Sequence, residues 1–110
     1  TEETMTVKHL GDIDEREIIH GYHVKFVHSK NVTVAYWNVR ALSVMPEHAH
    51  PHEQVVNLIE GKFELTVDGK THTLVPGSVV IISPDVKHSG KAVTDCRIID
   101  VFHPVREDYL

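Results

Sequence analysis

A chain of 110 residues, 41% hydrophobic and 25% charged, is sized for one domain and composed like a globular one, which argues against a disordered segment. Its formal charge of −5, with no cluster of Lys and Arg, argues against a nucleic-acid partner. The single cysteine, Cys96, cannot form an internal disulfide, and no stretch approaches the roughly 18 to 20 apolar residues of a membrane span. Residues 1–10 carry no apolar signal core, so the expectation is a cytoplasmic protein without a membrane partner. One domain is expected over 1–110, with 1–20 as an N-terminal extension.

In chain order, 12–17 is acidic and polar and suits a turn or a short helix. From His23 onward, short runs rich in Val, Ile, Thr and aromatics are punctuated by turn residues, which is a strand signature. Strands are predicted at 23–28, 32–44, 54–60, 62–68, 71–75, 78–83, 87–93 and 96–103. Pro46 and Pro51 cannot donate to a ladder and belong at strand edges or ends. Glu60-Gly61-Lys62 and Asp68-Gly69 suit tight turns. Pro76-Gly77 and Ser83-Pro84-Asp85 mark further turns. Phe63, Leu65 and Val67 alternate with polar residues, so that strand has one wet face, whereas Val79 to Ile82 is apolar on both faces and is expected to lie deep. Many short strands without a long helix predict an all-β sandwich or barrel.

Ten histidines are present, and their placement matters more than their number. The sharpest feature is His48-Ala49-His50-Pro51-His52-Glu53-Gln54. Alternate residues of a strand share a face, so His48 and His50 can present imidazoles to one point, with Gln54 in the same parity. Neutral imidazole is a common ligand of first-row divalent metals. His52 reads as a ligand, a neighbour of the ligands or a surface residue, the last two favoured because the motif spacing runs through Gln54, and Glu53 as a substitute for Gln54 if the turn is shorter. His9, His20, His23, His28, His72 and His103 lack matching partners and read as ordinary surface or packed residues.

Gly61 follows Gln54 by seven positions, and Gly77 precedes His88 by eleven. With His48, His50 and Gln54, these positions resemble the two motifs of the cupin superfamily, roughly G-x5-H-x-H-x3/4-E-x6-G and G-x5-P-x-G-x2-H-x3-N. Gln54 stands in place of the acid. Leu42 and Asp85 stand where the motifs carry glycine, the proline is shifted to Pro84, and Ala92 replaces the final Asn. The resemblance implies a jelly-roll β-barrel (a double-stranded β-helix). It also implies one divalent metal ion, Zn, Ni, Mn or Fe, on His48, His50, Gln54 and His88. Three imidazoles and an amide oxygen would leave open coordination positions, as catalytic sites require. A neutral Gln makes the site one unit more positive than the family acid would, which favours an anionic ligand.

The C-terminal stretch carries a second constellation. Asp100 sits in an apolar strand, where a carboxylate is costly unless paired or functional. One reading pairs it structurally with Arg106. The other comes from a narrower resemblance. The His48–Gln54 segment, together with Asp100-Val101-Phe102-x-Pro104-x-Arg106-Glu107-Asp108-Tyr109, resembles the pectin-degradation cupins of the KdgF type. These convert 4,5-unsaturated uronate monosaccharides, released by pectin and alginate lyases, into linear keto sugars. The resemblance implies a small anionic sugar as substrate. Arg106 would hold its carboxylate bidentately. Asp100 would move protons as general acid or base. Phe102 would wall the sugar ring. Tyr36, Asn38 and Arg40 share a face that either lines the cavity or is partly solvated. Ile99 and Val101 point away from Asp100 and need cover, which predicts a homodimer. A non-enzymatic binding cupin, a dioxygenase and a sugar isomerase are the competing readings.

Overall fold

The computed structural model describes residues 4–110, so the first three residues of the expected extension lie outside the described residues. Among the described residues the chain forms ten strands. They are β1 (Arg16–Ile19), β2 (Tyr22–His28), β3 (Thr33–Val39), β4 (Val44–His48), β5 (Glu53–Glu60), β6 (Phe63–Val67), β7 (Lys70–Leu74), β8 (Val79–Ile82), β9 (His88–Ala92) and β10 (Cys96–His103). A six-stranded sheet runs β1-β2-β3-β10-β5-β8 and a four-stranded sheet runs β4-β9-β6-β7, with every pairing antiparallel. Period-two alternation explains the two layers. Val24 and Phe26 of β2, Ala35, Trp37 and Val39 of β3, Val56 and Leu58 of β5, and Ile98 of β10 face inward. They meet Phe63, Leu65 and Ala92 of the smaller sheet in one core. Val24, Leu58 and Ile82 are fully buried, each contributing about 2 kcal/mol by removal from water. The expected all-β jelly roll is therefore the observed architecture.

Several expectations are corrected. The segment expected as one strand at 32–44 is two, β3 and β4, because the chain turns at 40–43 and passes from one sheet to the other. Ser43 N–H donates to the Arg40 carbonyl at 3.2 Å, and Leu42 adopts φ +69°. The 12–17 segment supplies a short 3-10 turn at Leu10–Asp12 and the start of β1. The run from Val79 to Ile82 is not buried on both faces, and only Ile82 lies deep. The run forms the edge strand β8, with Val79 60% and Ile81 68% exposed. Tyr36 and Asn38 point to the outer face, because Ala35, Trp37 and Val39 take the inner one. Arg40 sits exposed in the turn. Ile99 and Val101 lie half-buried on that same outer face, in register with Tyr36 and Val34.

Both positions where this chain lacks the family glycines take left-handed backbone: Leu42 at φ +69° and Asp85 at φ +65°. Of the two glycines that are kept, Gly61 at φ +94° and Gly77 at φ +92°, a side chain at Gly61 would collide with the Asp95 carbonyl. At Leu42 the side chain is 69% exposed and adds little packing, while its Cβ strains the left-handed turn. Leu42→Gly is therefore expected to stabilise the fold by about 1 kcal/mol, raising the thermal midpoint by about 5 °C in calorimetry. A lowered midpoint would show that Leu42 contributes packing that its exposure does not reveal.

Candidate metal centre and its cavity

Three imidazoles converge where β4, the β4–β5 loop and β9 meet. His48 ends β4 and pairs with His88 at the start of β9. His50 lies in the loop, whose position is set by the Asp85 N–H donating to the His50 carbonyl at 2.8 Å. The left-handed turn at Asp85 thus helps seat a ligand. One ring nitrogen of each of His48, His50 and His88 lies within 4.8 Å of the others. In each ring Nδ1 is tied to a backbone carbonyl: His48 to Pro46 at 2.8 Å, His50 to His52 at 3.1 Å, His88 to Val86 at 2.9 Å. A neutral ring that donates from Nδ1 keeps its Nε2 lone pair free for a metal.

The donor set fits a divalent cation. The buried Nε2 of His88 has no hydrogen-bond partner among the described residues. His50 Nε2 faces Gln54 Oε1 at 3.0 Å while its Nδ1 faces a carbonyl, so either neutral tautomer leaves two acceptors in contact. A positive charge between them reconciles the contact. A proton is disfavoured, because burial first, and then the charges of Arg106 and His88, lower the His50 pKa to about 4. Burial likewise lowers that of His88. A metal ion suits both rings better.

Gln54 faces inward on β5, 7% exposed, while Glu53 is exposed and does not join the group. The Gln54 Nε2 donates to Asp100 Oδ2 at 3.0 Å. Asp100 lies between Ala35 and Val56 in the sheet, one inner position from Phe102 and Gln54. Burial raises its pKa to about 7, against the opposing pull of the Trp37 indole, the Gln54 amide and Arg106. Neither the Trp37 Nε1 nor the second Asp100 oxygen has a well-aligned hydrogen-bond partner.

Asp100 does not form the structural ion pair with Arg106 offered by one reading of the sequence. The buried Arg106 pairs with Asp108 through Nε–Oδ1 at 3.0 Å and Nη2–Oδ2 at 2.7 Å. Its guanidinium lies 4.7 Å from the Phe102 ring centre and 4.5 Å from that of Tyr109. Phe102 also meets His50 edge-on at 5.6 Å. A cavity of about 310 Å³ is bordered by His48, Gln54, His88, Asp100, Phe102 and Arg106. Its deeper wall is apolar, with Met45, Phe63 and Leu65. His52, expected as a neighbour of the ligands or a surface residue, is buried, and its carbonyl orients His50.

Sequence reasoning missed Trp37 as part of the site, and it carried Asp108 and Tyr109 only within the C-terminal motif, with no role for either. Trp37 had a usable signal, since it alternates with Ala35 and Val39. For Asp108 the signal was its membership of that motif, two residues after Arg106.

Residues 36–102 match the Cupin domain family. Among solved structures, KdgF from Halomonas sp. superposes with a TM-score of 0.90 at 24% identity, over 97% of this chain and 100% of that one. An RmlC-like cupin from Shewanella frigidimarina gives 0.87 at 25% identity, over 99% of this chain and 97% of that one. In sequence, the L-ectoine synthase of Saccharopolyspora erythraea is 38% identical over 55 residues, 48% of this chain and 41% of the synthase. This chain therefore spans less than half of that relative. No helix among the described residues is long and apolar enough to cross a membrane.

Proposed function

The chain belongs to the Cupin domain family, and on that footing we propose that it is a metal-dependent enzyme opening the ring of small 4,5-unsaturated uronates. The observation that carries this reading is that one cavity is bordered by a buried carboxylate, Asp100, a buried guanidinium, Arg106, and two imidazoles, His48 and His88, of a three-histidine cluster that His50 completes. The KdgF-like ending of the sequence and the likeness to KdgF from Halomonas sp. support the choice of substrate.

His48, His50 and His88 would hold the metal, with the Gln54 amide oxygen as fourth ligand. When bound, a divalent ion supplies Lewis-acid polarisation of substrate oxygens. The other tasks fall to the chain's own groups. Arg106 binds the uronate carboxylate through the donors that Asp108 leaves free. Phe102, already stacked on Arg106, presents its ring as an apolar wall to the sugar. Asp100 accepts the proton of the hemiacetal hydroxyl as the ring C–O bond breaks, and a proton returns to the enol carbon as the ketone forms. The reaction is a net isomerisation, so one carboxyl group that takes and returns a proton suffices. A pKa raised to about 7 suits both directions near neutral pH.

The test is turnover of freshly lyase-generated unsaturated galacturonate, followed by loss of ultraviolet absorbance. Metal-loaded protein is expected to accelerate that loss above the spontaneous rate. Chelation should abolish the acceleration and added metal restore it. No acceleration by loaded protein would end the ring-opening reading. It would leave a cupin that binds a small acid without turnover, which the apolar wall of Met45, Phe63 and Leu65 favours.

A further inference from the structure

The Arg106 side chain is fixed on every side but one. The Phe102 and Tyr109 rings both lie against the guanidinium, at 4.7 and 4.5 Å, and the Arg106 N–H donates to Thr33 Oγ1 at 2.8 Å. Tyr109 is itself anchored, stacked on Phe26 at 4.5 Å and 19°, with its carbonyl accepting from Arg16 Nη1 at 3.0 Å. In the plane of the guanidinium, Asp108 takes the Nε–Nη2 edge with both carboxylate oxygens. A guanidinium has five N–H donors, so three remain, on Nη1 and Nη2. Arg106 borders the cavity and Asp108 does not.

We propose that Asp108 is a positioning residue. By occupying the outer edge of Arg106 it turns the Nη1–Nη2 edge into the cavity and fixes where an anionic ligand's carboxylate sits. The opposite effect, in which Asp108 masks the positive charge and weakens anion binding, is the rival. Exposure decides between them. The Asp108 side chain is 54% exposed and its charge is screened by water, whereas the Arg106 side chain is 8% exposed. Without its partner the cation would be buried unpaired and would leave its stacked position. Ordering therefore outweighs neutralisation.

The inference rests on the proposed function only for the identity of the ligand that carries the carboxylate. Its test uses a bare carboxylate. Acetate is titrated into metal-loaded protein and followed at the indole N–H resonance of Trp37, the only tryptophan of the chain. Saturable binding is expected, weakened about ten-fold by Asp108→Ala, less by Asp108→Asn, and largely restored by Asp108→Glu. With unsaturated uronate the same alanine variant is expected to raise KM about ten-fold and leave kcat within about two-fold. Acetate binding that is absent, or unchanged or tighter in well-folded Asp108→Ala protein, overturns the positioning role. Failure of wild-type turnover with the acetate result intact would remove the uronate and leave the role standing.

Discussion

Asp100→Asn is expected to return uronate ring opening to the spontaneous background while metal content and acetate binding stay at wild-type levels. Asn is nearly isosteric and keeps an oxygen for the Gln54 Nε2–H, which now meets Asp100 Oδ2 at 3.0 Å. What it loses is the ability to take up and release a proton. General acid–base catalysis by one positioned group contributes on the order of 10²–10⁴-fold. That range covers most of the gain available for a reaction that also proceeds unaided. The position is costly for a carboxylate. Asp100 is 7% exposed, its partners across the sheet are Ala35 and Val56, and one oxygen lacks a well-aligned partner. A purely structural role would be served as well by Asn. Initial rates above background, with metal analysis of the same samples, settle the matter. A variant that keeps a tenth or more of the wild-type rate would move the proton transfer to another group.

Most of the strands were legible because period-two alternation survives in a single sequence. Seven of the eight predicted strands match observed ones to within one residue at each end. The eighth, 32–44, was over-read because its break carries no glycine or proline. The residue that turns the chain is Leu42, which in sequence continues the apolar run. β1 is four residues of mixed character and gave no periodic signal. The depth of β8 depends on which strand has no neighbour, and sheet order is a tertiary property that an apolar run does not encode. Parity placed Tyr36 and Asn38 together but could not say which face is inward.

Strand parity accounts for only part of the metal centre. His48 lies on a strand as expected, but His50 lies in the following loop and is oriented by backbone contacts from His52 and Asp85. The histidine spacing survived because the motif encodes a turn as well as a parity. The role of Asp108 was not legible although the motif contains it, since an Arg-x-Asp pair usually reads as solvated charge. Its value arises only because phenylalanine and tyrosine from two different elements bury the arginine.

Gln54→Glu would restore the acid of the family motif, and it is nonetheless expected to abolish turnover while keeping or tightening the metal. The amide at this position performs two tasks of opposite polarity. Its oxygen faces His50 Nε2 at 3.0 Å, where a cation is wanted, and its nitrogen donates to Asp100 at 3.0 Å. A carboxylate can do the first and not the second. It would set two oxygens against each other about 3 Å apart, a repulsion of about 5 kcal/mol at an effective dielectric constant near 20. Buried carboxylates in that situation share one proton, as paired acids do. Asp100 would then be held protonated or hydrogen-bonded to its neighbour, and would no longer accept a proton from the substrate. The expected result is undiminished metal content with turnover reduced on the order of 100-fold or more. Gln54→Ala removes both tasks at once, weakening metal retention and leaving Asp100 without its donor. A fully active Gln54→Glu protein would show that Asp100 does not need the amide. The departure from the family acid would then require an explanation outside the proton chemistry of Asp100.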